Sequence, residues 1–223
     1  MRPIERGNCQ QKFREYQDAK KELIQRLGEY CSYCERYIPA GLAVEHIQPK
    51  TKHPDKELNW DNFLLACVNC NSTKGDSDVL LEEYYWPERD NTARAFEYLT
   101  GGIVRENPTL SYLEQQRAKK TLDLTGLNKI PNSGNASDGR WLQRREVWEM
   151  ARRKLEQLQG NDTLLMRESI IELALARGFW SVWMTVFRDD GDMLLRFIAA
   201  FPGTCRSCFD HQGKSWPRRG GAI

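Results

Sequence analysis

Two pairs of cysteines, Cys31-Ser32-Tyr33-Cys34 and Cys67-Val68-Asn69-Cys70, each place two sulfurs within reach of one ion. Four thiolates make a closed tetrahedral site of the kind zinc prefers, and a site with no open position is structural. The 32 residues between the pairs exceed the usual spacing of a zinc ribbon, so a segment with its own task is inserted there. The alternatives are a redox CxxC or two unrelated buried pairs; a redox motif has no need of the second pair. Directly after the second pair stands Asn71, followed by Lys74, Gly75 and Asp76.

Between the pairs, Leu42 to Ile47 has the composition of a short strand, with Glu45 and His46 at its end and Gln48-Pro49 as a turn. A carboxylate beside a histidine is in itself an ordinary surface pair. Asn62-Phe63-Leu64-Leu65 reads as the start of a helix running through the second cysteine pair. A zinc ion would dock that helix on the strand and bring Glu45, His46 and Asn71 together.

"VEHIQPK", "WDNFLLAC" and "CNSTKGD", bracketed by the two CxxC pairs, resemble the HNH endonuclease family with its ββα-metal fold over about Cys31 to Asp76. The resemblance implies that His46 is a general base, that Glu45 and Asn71 hold a catalytic Mg²⁺ or Mn²⁺, and that Asn62 braces the loop presenting His46. An asparagine stands at Asn71 where many members have histidine, a common variant. Phosphodiester hydrolysis calls for these types. A histidine can deprotonate water near neutral pH, and a hard cation bound by oxygen ligands offsets charge on the phosphate. Lys74 is either a contact to the DNA backbone or a solvated cation at a helix end. His53 reads as a surface residue.

The order of these motifs, with a helical lead and a helical C-terminal half, further resembles the HNH subunit of Septu anti-phage systems. That resemblance implies a partner, an ATPase of the ABC/SMC type. The competing class is a non-catalytic zinc-knuckle module that binds nucleic acid or protein. Joint presence of Glu45, His46, Asn62 and Asn71 separates the two.

The elements around this segment are read as follows. Phe13 to Tyr30 has helix-forming composition with Phe13, Tyr16, Leu23 and Leu27 on one face. A first unit is placed at residues 1–90 and a mainly helical one, available for docking a partner, at 91–223. "FEYLTGGIVREN" predicts a hairpin turning at Gly101-Gly102, and "PNSGNASDG", Pro131 to Gly139, reads as a linker. "ESIIELALARGFWSVWMTVF" is apolar nearly all round and predicts one buried helix. "RWLQRREVWEMARRK" reads as an amphipathic helix with its tryptophans inside and its arginines in water, or as a phosphate-tracking face. Cys205, Cys208 and His211 offer three ligands for a second zinc, with Cys9 or a partner residue as the fourth, or else a reduced, ligand-free pair.

The fold class expected is α+β, mostly α: a small ββα-metal core with a four-cysteine knuckle and a helical C-terminal half. With 33 basic against 31 acidic residues, overall charge does not announce a polyanion binder, so any such contact must be local. No apolar run has the length of a membrane span or the form of a signal peptide, which makes a reducing cytoplasm the default.

Overall fold

The computed structural model describes residues 1–130 and 138–223, so most of the linker expected at 131–139 lies outside the described residues. Helices dominate, with two separate antiparallel two-stranded sheets. A single turn of 3-10 helix, Tyr16–Asp18, leads into α1 (Ala19–Leu27), which buries Ala19, Leu23 and Leu27 and stops at Gly28. Strands β1 (Ala43–His46) and β2 (Phe63–Ala66) pair so that Glu45 faces Leu64 and His46 faces Phe63. Helix α2 (Val68–Lys74) follows at once, and α1 packs against both strands. The unit is therefore ββα.

One expectation changes here. Asn62 to Leu65 is not the start of a helix. Asn62 ends a 3-10 turn, and Phe63–Ala66 is a wholly buried strand. A four-residue apolar run buried on both faces carries no alternation to distinguish strand from helix. The helix begins only after Cys67, whose Sγ accepts the Cys70 amide at 3.4 Å and so caps it.

Downstream, the short helix α3 (Thr92–Ala95) precedes the hairpin of β3 (Phe96–Leu99) and β4 (Ile103–Glu106). Its turn lies at Gly101 and Gly102, both with positive φ, as the sequence predicts. Then come α4 (Tyr112–Thr125), α5 (Arg140–Gly160), α6 (Leu164–Arg177), α7 (Trp180–Val186) and α8 (Gly191–Ala200). The apolar stretch expected as one helix is thus two. Gly178 and Phe179 both adopt positive φ and break it, and a Cβ on Gly178 would lie 2.4 Å from the Glu35 carbonyl oxygen. Trp180 and Trp183 are fully buried, so α7 spends its aromatic surface inside the core.

One hydrophobic cluster runs from Met1 and Leu23 through Phe63 and Leu65 to Trp183, Phe197 and Phe201. Polar stitches reinforce it. The Glu35 carboxylate accepts hydrogen bonds from the Ser181 amide at 2.9 Å and hydroxyl at 2.6 Å, and lies 3.4 Å from the Met1 ammonium. Among the described residues, no helix is long and apolar enough to cross a membrane.

Candidate metal centre and active site

The four cysteines converge between the first knuckle loop and the start of α2. Their sulfurs all lie within 4.8 Å of one another, and all four residues are buried. Sulfurs held about 2.3 Å from one tetrahedral ion sit about 3.8 Å apart. The Cys34 and Cys67 Sγ atoms are 3.7 Å apart, so the donor set fits structural zinc in both chemistry and spacing. Backbone amides also point at the sulfurs, Cys67 N–H at Cys31 Sγ and Cys70 N–H at Cys67 Sγ, each at 3.4 Å.

Four thiolates around a divalent ion carry a net charge of −2, and burying it requires compensation. Arg140, buried at the start of α5, donates from Nη1 to Cys70 Sγ at 3.0 Å and to the Thr125 carbonyl at 2.7 Å. Arg36 interacts with the Cys34 and Cys67 sulfurs and donates to Asn69 Oδ1 at 2.9 Å. The expectation that the arginines of α5 stand in water is corrected at two positions. Arg144 is buried too, donating to the carbonyls of Gly102 and Leu127, because helix and loop ends leave carbonyls that only a donor from elsewhere can satisfy. Neither arginine is distinguishable in the sequence from its exposed neighbours.

At the end of β1 the pleat separates the two candidate side chains. His46 shares its face with the opposite residue Phe63, ring centroids 5.2 Å apart, and meets Tyr16 at 4.8 Å. Its Nε2 lies 2.9 Å from the Glu57 carbonyl oxygen. A carbonyl only accepts, so Nε2 carries the proton, and Nδ1 of the neutral ring keeps a free lone pair. Burial lowers the proton affinity of the imidazole below its usual value, against the opposing pull of the Glu57 carbonyl. The ring is thus held as a neutral base.

Glu45 points to the other side, toward α2. Lys74 Nζ is 2.8 Å from its Oε1 and donates to the His46 carbonyl at 2.7 Å. Burial pushes the Glu45 carboxyl upward while Lys74 pulls it back. Asn71 lies one turn before Lys74 on the same helix face, and among the described residues no hydrogen bond engages its side-chain amide. A carboxylate has two oxygens and several lone pairs, so one ammonium does not exhaust it. Glu45 and Asn71 carry the oxygens that the resemblance assigns to a hard cation, with Glu45 4% exposed and its Oε1 turned to Lys74. The structure brings Glu45 and Lys74 together, with Asn71 one helical turn before Lys74, and sets the His46 ring against Phe63 and Tyr16.

Lys74 itself departs from expectation. It is 1% exposed and wholly engaged with Glu45 and the His46 carbonyl, so it presents no ammonium to a DNA backbone. Its place is a clamp between α2 and the end of β1. Lys74→Met should leave Glu45 uncompensated and cost about 3–5 kcal/mol of stability, read by denaturant unfolding at neutral pH. An unfolding curve superimposable on that of the wild type would dismiss the clamp.

Asn62 is buried. Its Oδ1 accepts the Gln48 amide at 2.8 Å, and its Nδ2 donates to the carbonyls of Gln48 and Lys56 at 2.9 and 3.2 Å. It ties both ends of the loop that follows His46. His53 pairs with Asp78 at 2.9 Å, away from His46. Cys205 and Cys208 are buried beside each other, whereas His211 is exposed, and among the described residues only Cys31, Cys34, Cys67 and Cys70 form a metal-competent group.

Beside the Asn62 brace lies a cavity lined by Arg6, Ile47, Gln48, Asn62, Leu81 and Glu88. Glu88 Oε2 is sealed from solvent without a hydrogen-bond partner, although the rest of the residue is half-buried. Burial raises this carboxyl to about 7, outweighing the pull of Arg6. The folded chain then binds more protons than the unfolded one between about pH 4.5 and 7, so stability falls as pH rises through that window. Glu88→Gln removes the ionisation. It should be more stable than the wild type by about 1–3 kcal/mol at pH 8, with the gain vanishing near pH 4.5, as read by thermal melts across pH.

Residues 31–77 match the HNH endonuclease family. This match and the four-cysteine cluster together support a nuclease of that family, on a segment that is about a fifth of the chain. No curated protein matches the chain.

Proposed function

We propose that the protein is a metal-dependent endonuclease that hydrolyses DNA phosphodiester bonds with His46 as general base. One observation carries this reading: the Glu57 carbonyl fixes the proton on His46 Nε2 and leaves Nδ1 basic at the end of β1, within the segment that matches HNH endonucleases. Joint presence of Glu45, His46, Asn62 and Asn71 favours this reading over a binding module.

In this reading His46 Nδ1 takes the proton of the attacking water. Glu45, on the face of the strand end turned to α2, and Asn71, on α2 itself, would hold Mg²⁺ or Mn²⁺. When bound, such a cation supplies charge neutralisation at the scissile phosphate and the departing oxygen. Lys74 orients Glu45, Asn62 holds the loop, and the zinc knuckle fixes α2 against the sheet.

The test is incubation of purified, zinc-loaded protein with supercoiled plasmid and Mg²⁺ or Mn²⁺, followed by electrophoresis. Nicked or linear product that disappears with a chelator is expected. Intact plasmid under every condition, with the products of neighbouring genes included, would leave the binding-module reading standing.

The finer reading is an effector nuclease of a cytoplasmic anti-phage complex, partnered by an ABC/SMC-like ATPase. Its support is the Septu-like order of motifs. The exposed pair Leu164 and Leu165, 61% and 73% accessible at the start of α6, adds apolar surface suited to a partner. Co-expression with the neighbouring ATPase gene and size-exclusion chromatography decide it. Separate elution, with cleavage by the lone protein indifferent to ATP, would make the protein a stand-alone nuclease.

A further inference from the structure

The His46 ring is walled in part by a residue outside the segment that matches the nuclease family. Tyr16, on the 3-10 turn before α1, meets the ring edge-on with centroids 4.8 Å apart. Lys50 Nζ sits over the Tyr16 ring at 4.4 Å and pairs with Glu57 Oε1 at 3.0 Å. The Glu57 carbonyl in turn lies 2.9 Å from His46 Nε2. The four residues close a ring: His46 on Tyr16, Tyr16 under Lys50, Lys50 on Glu57, and Glu57 back on His46. Phe63 completes the wall from β2.

Each contact has a separate physical basis. The edge of one aromatic ring is positive and the face of another negative, which favours the T-shaped meeting of Tyr16 and His46. The Lys50 ammonium is attracted to the face of the tyrosine ring and to the Glu57 carboxylate, so it holds Tyr16 and the 54–57 turn at a fixed separation. That separation is what the His46 ring occupies. Phe63 and Tyr16 are the two aromatic rings that meet the imidazole, so loss of Tyr16 removes the closer of its two ring contacts. The ring could then rotate away from the Glu57 carbonyl, and Nδ1 would no longer point in one direction.

We propose that Tyr16 is a positioning residue for His46, locked by the Lys50–Glu57 pair, so that the N-terminal lead completes the site of the family-matching segment. The inference rests on the reading of His46 as general base. Tyr16 acts through the imidazole and need not touch the phosphodiester.

Loss of alignment by about an ångström costs on the order of 100-fold in turnover. Tyr16→Leu should therefore lower kcat for plasmid cleavage by about 10- to 100-fold with little change in KM, while Tyr16→Phe, which keeps the ring, should cleave like the wild type. Long-range ¹H–¹⁵N spectra of histidine-labelled protein, with the His46 signal assigned through His46→Ala, give a readout independent of cleavage. The wild type should show the single Nε2–H tautomer, and Tyr16→Leu a mixture of both. Lys50→Met, at a half-exposed side chain, should shift the spectrum in the same direction and serves if Tyr16→Leu does not fold. Wild-type kcat in Tyr16→Leu, or an unchanged His46 spectrum in whichever variant folds, overturns the positioning role. Full cleavage by His46→Ala instead overturns the general-base reading itself, whatever the tyrosine variants do.

Discussion

His46→Ala is expected to lower the turnover of DNA cleavage by about 10²- to 10⁴-fold, the range a positioned general base contributes, while zinc content and secondary structure stay at wild-type levels. The separation follows from the geometry. The imidazole meets Tyr16 and Phe63 at its edges and the Glu57 carbonyl at Nε2, and makes no contact with the cysteine sulfurs. Its removal leaves a small void at the buried end of β1, which should cost roughly 1–3 kcal/mol. The knuckle, on the other side of β1 and β2, keeps all its ligands. Plasmid cleavage rates at saturating Mg²⁺, zinc per chain by elemental analysis and far-ultraviolet circular dichroism together check the expectation. A folded, zinc-replete His46→Ala protein that cuts as fast as the wild type would remove His46 from the chemistry.

What the sequence made legible is what local chemistry dictates. The two CxxC pairs announce a four-sulfur site because few other uses require all four thiols, and the sulfurs do converge. The Gly101-Gly102 turn is readable because two successive positive φ values strongly favour glycine. What stayed hidden depends on partners remote in the chain. Lys74 reads as a DNA-backbone contact or a helix-end cation, and only the docking of α2 against β1 reveals that its ammonium meets Glu45, 29 positions earlier, in a buried pair. Arg140 and Arg144 sit among other arginines of α5, and their burial is decided by carbonyls of Thr125, Gly126, Gly102 and Leu127. The break between α6 and α7 has the same origin. Gly178 looks tolerable inside an apolar helix until the knuckle residues Glu35 and Tyr37 are seen pressed against its Cα. Tyr16 belongs with these, since nothing in the helical composition of the lead distinguishes it from an ordinary core tyrosine.

Cys67→Ser should have the largest effect of all, because this residue joins three structural tasks. Its sulfur is one of the four that converge in a cluster fitting structural zinc, it accepts the Cys70 amide that caps α2, and it is the joint between β2 and α2. A serine hydroxyl could still cap the helix, so the loss of capping is small. Loss of the fourth thiolate is not. Structural zinc contributes on the order of 10 kcal/mol to folding where its site is formed only in the folded state, which rivals the entire stability of a domain of this kind. The surroundings deepen the loss. Arg140 lies against Cys70 Sγ and Arg36 near Cys34, and both offset a negative centre that would no longer exist. Arg140 would keep its ion pair with Asp138 and its bonds to the Thr125 and Gly126 carbonyls, while the half-buried Arg36 would lose the negative sulfurs it faces. The knuckle and the helical half should therefore fail together. The variant is expected to be insoluble, or soluble with no zinc and a lost or strongly lowered melting transition. Cys9→Ser, at a half-buried cysteine outside the cluster, should keep zinc and melt like the wild type. Elemental analysis and differential scanning calorimetry of the three proteins decide the matter: a Cys67→Ser protein with full zinc and an unshifted transition, or an active wild type without zinc, would show that the four sulfurs are not a metal centre.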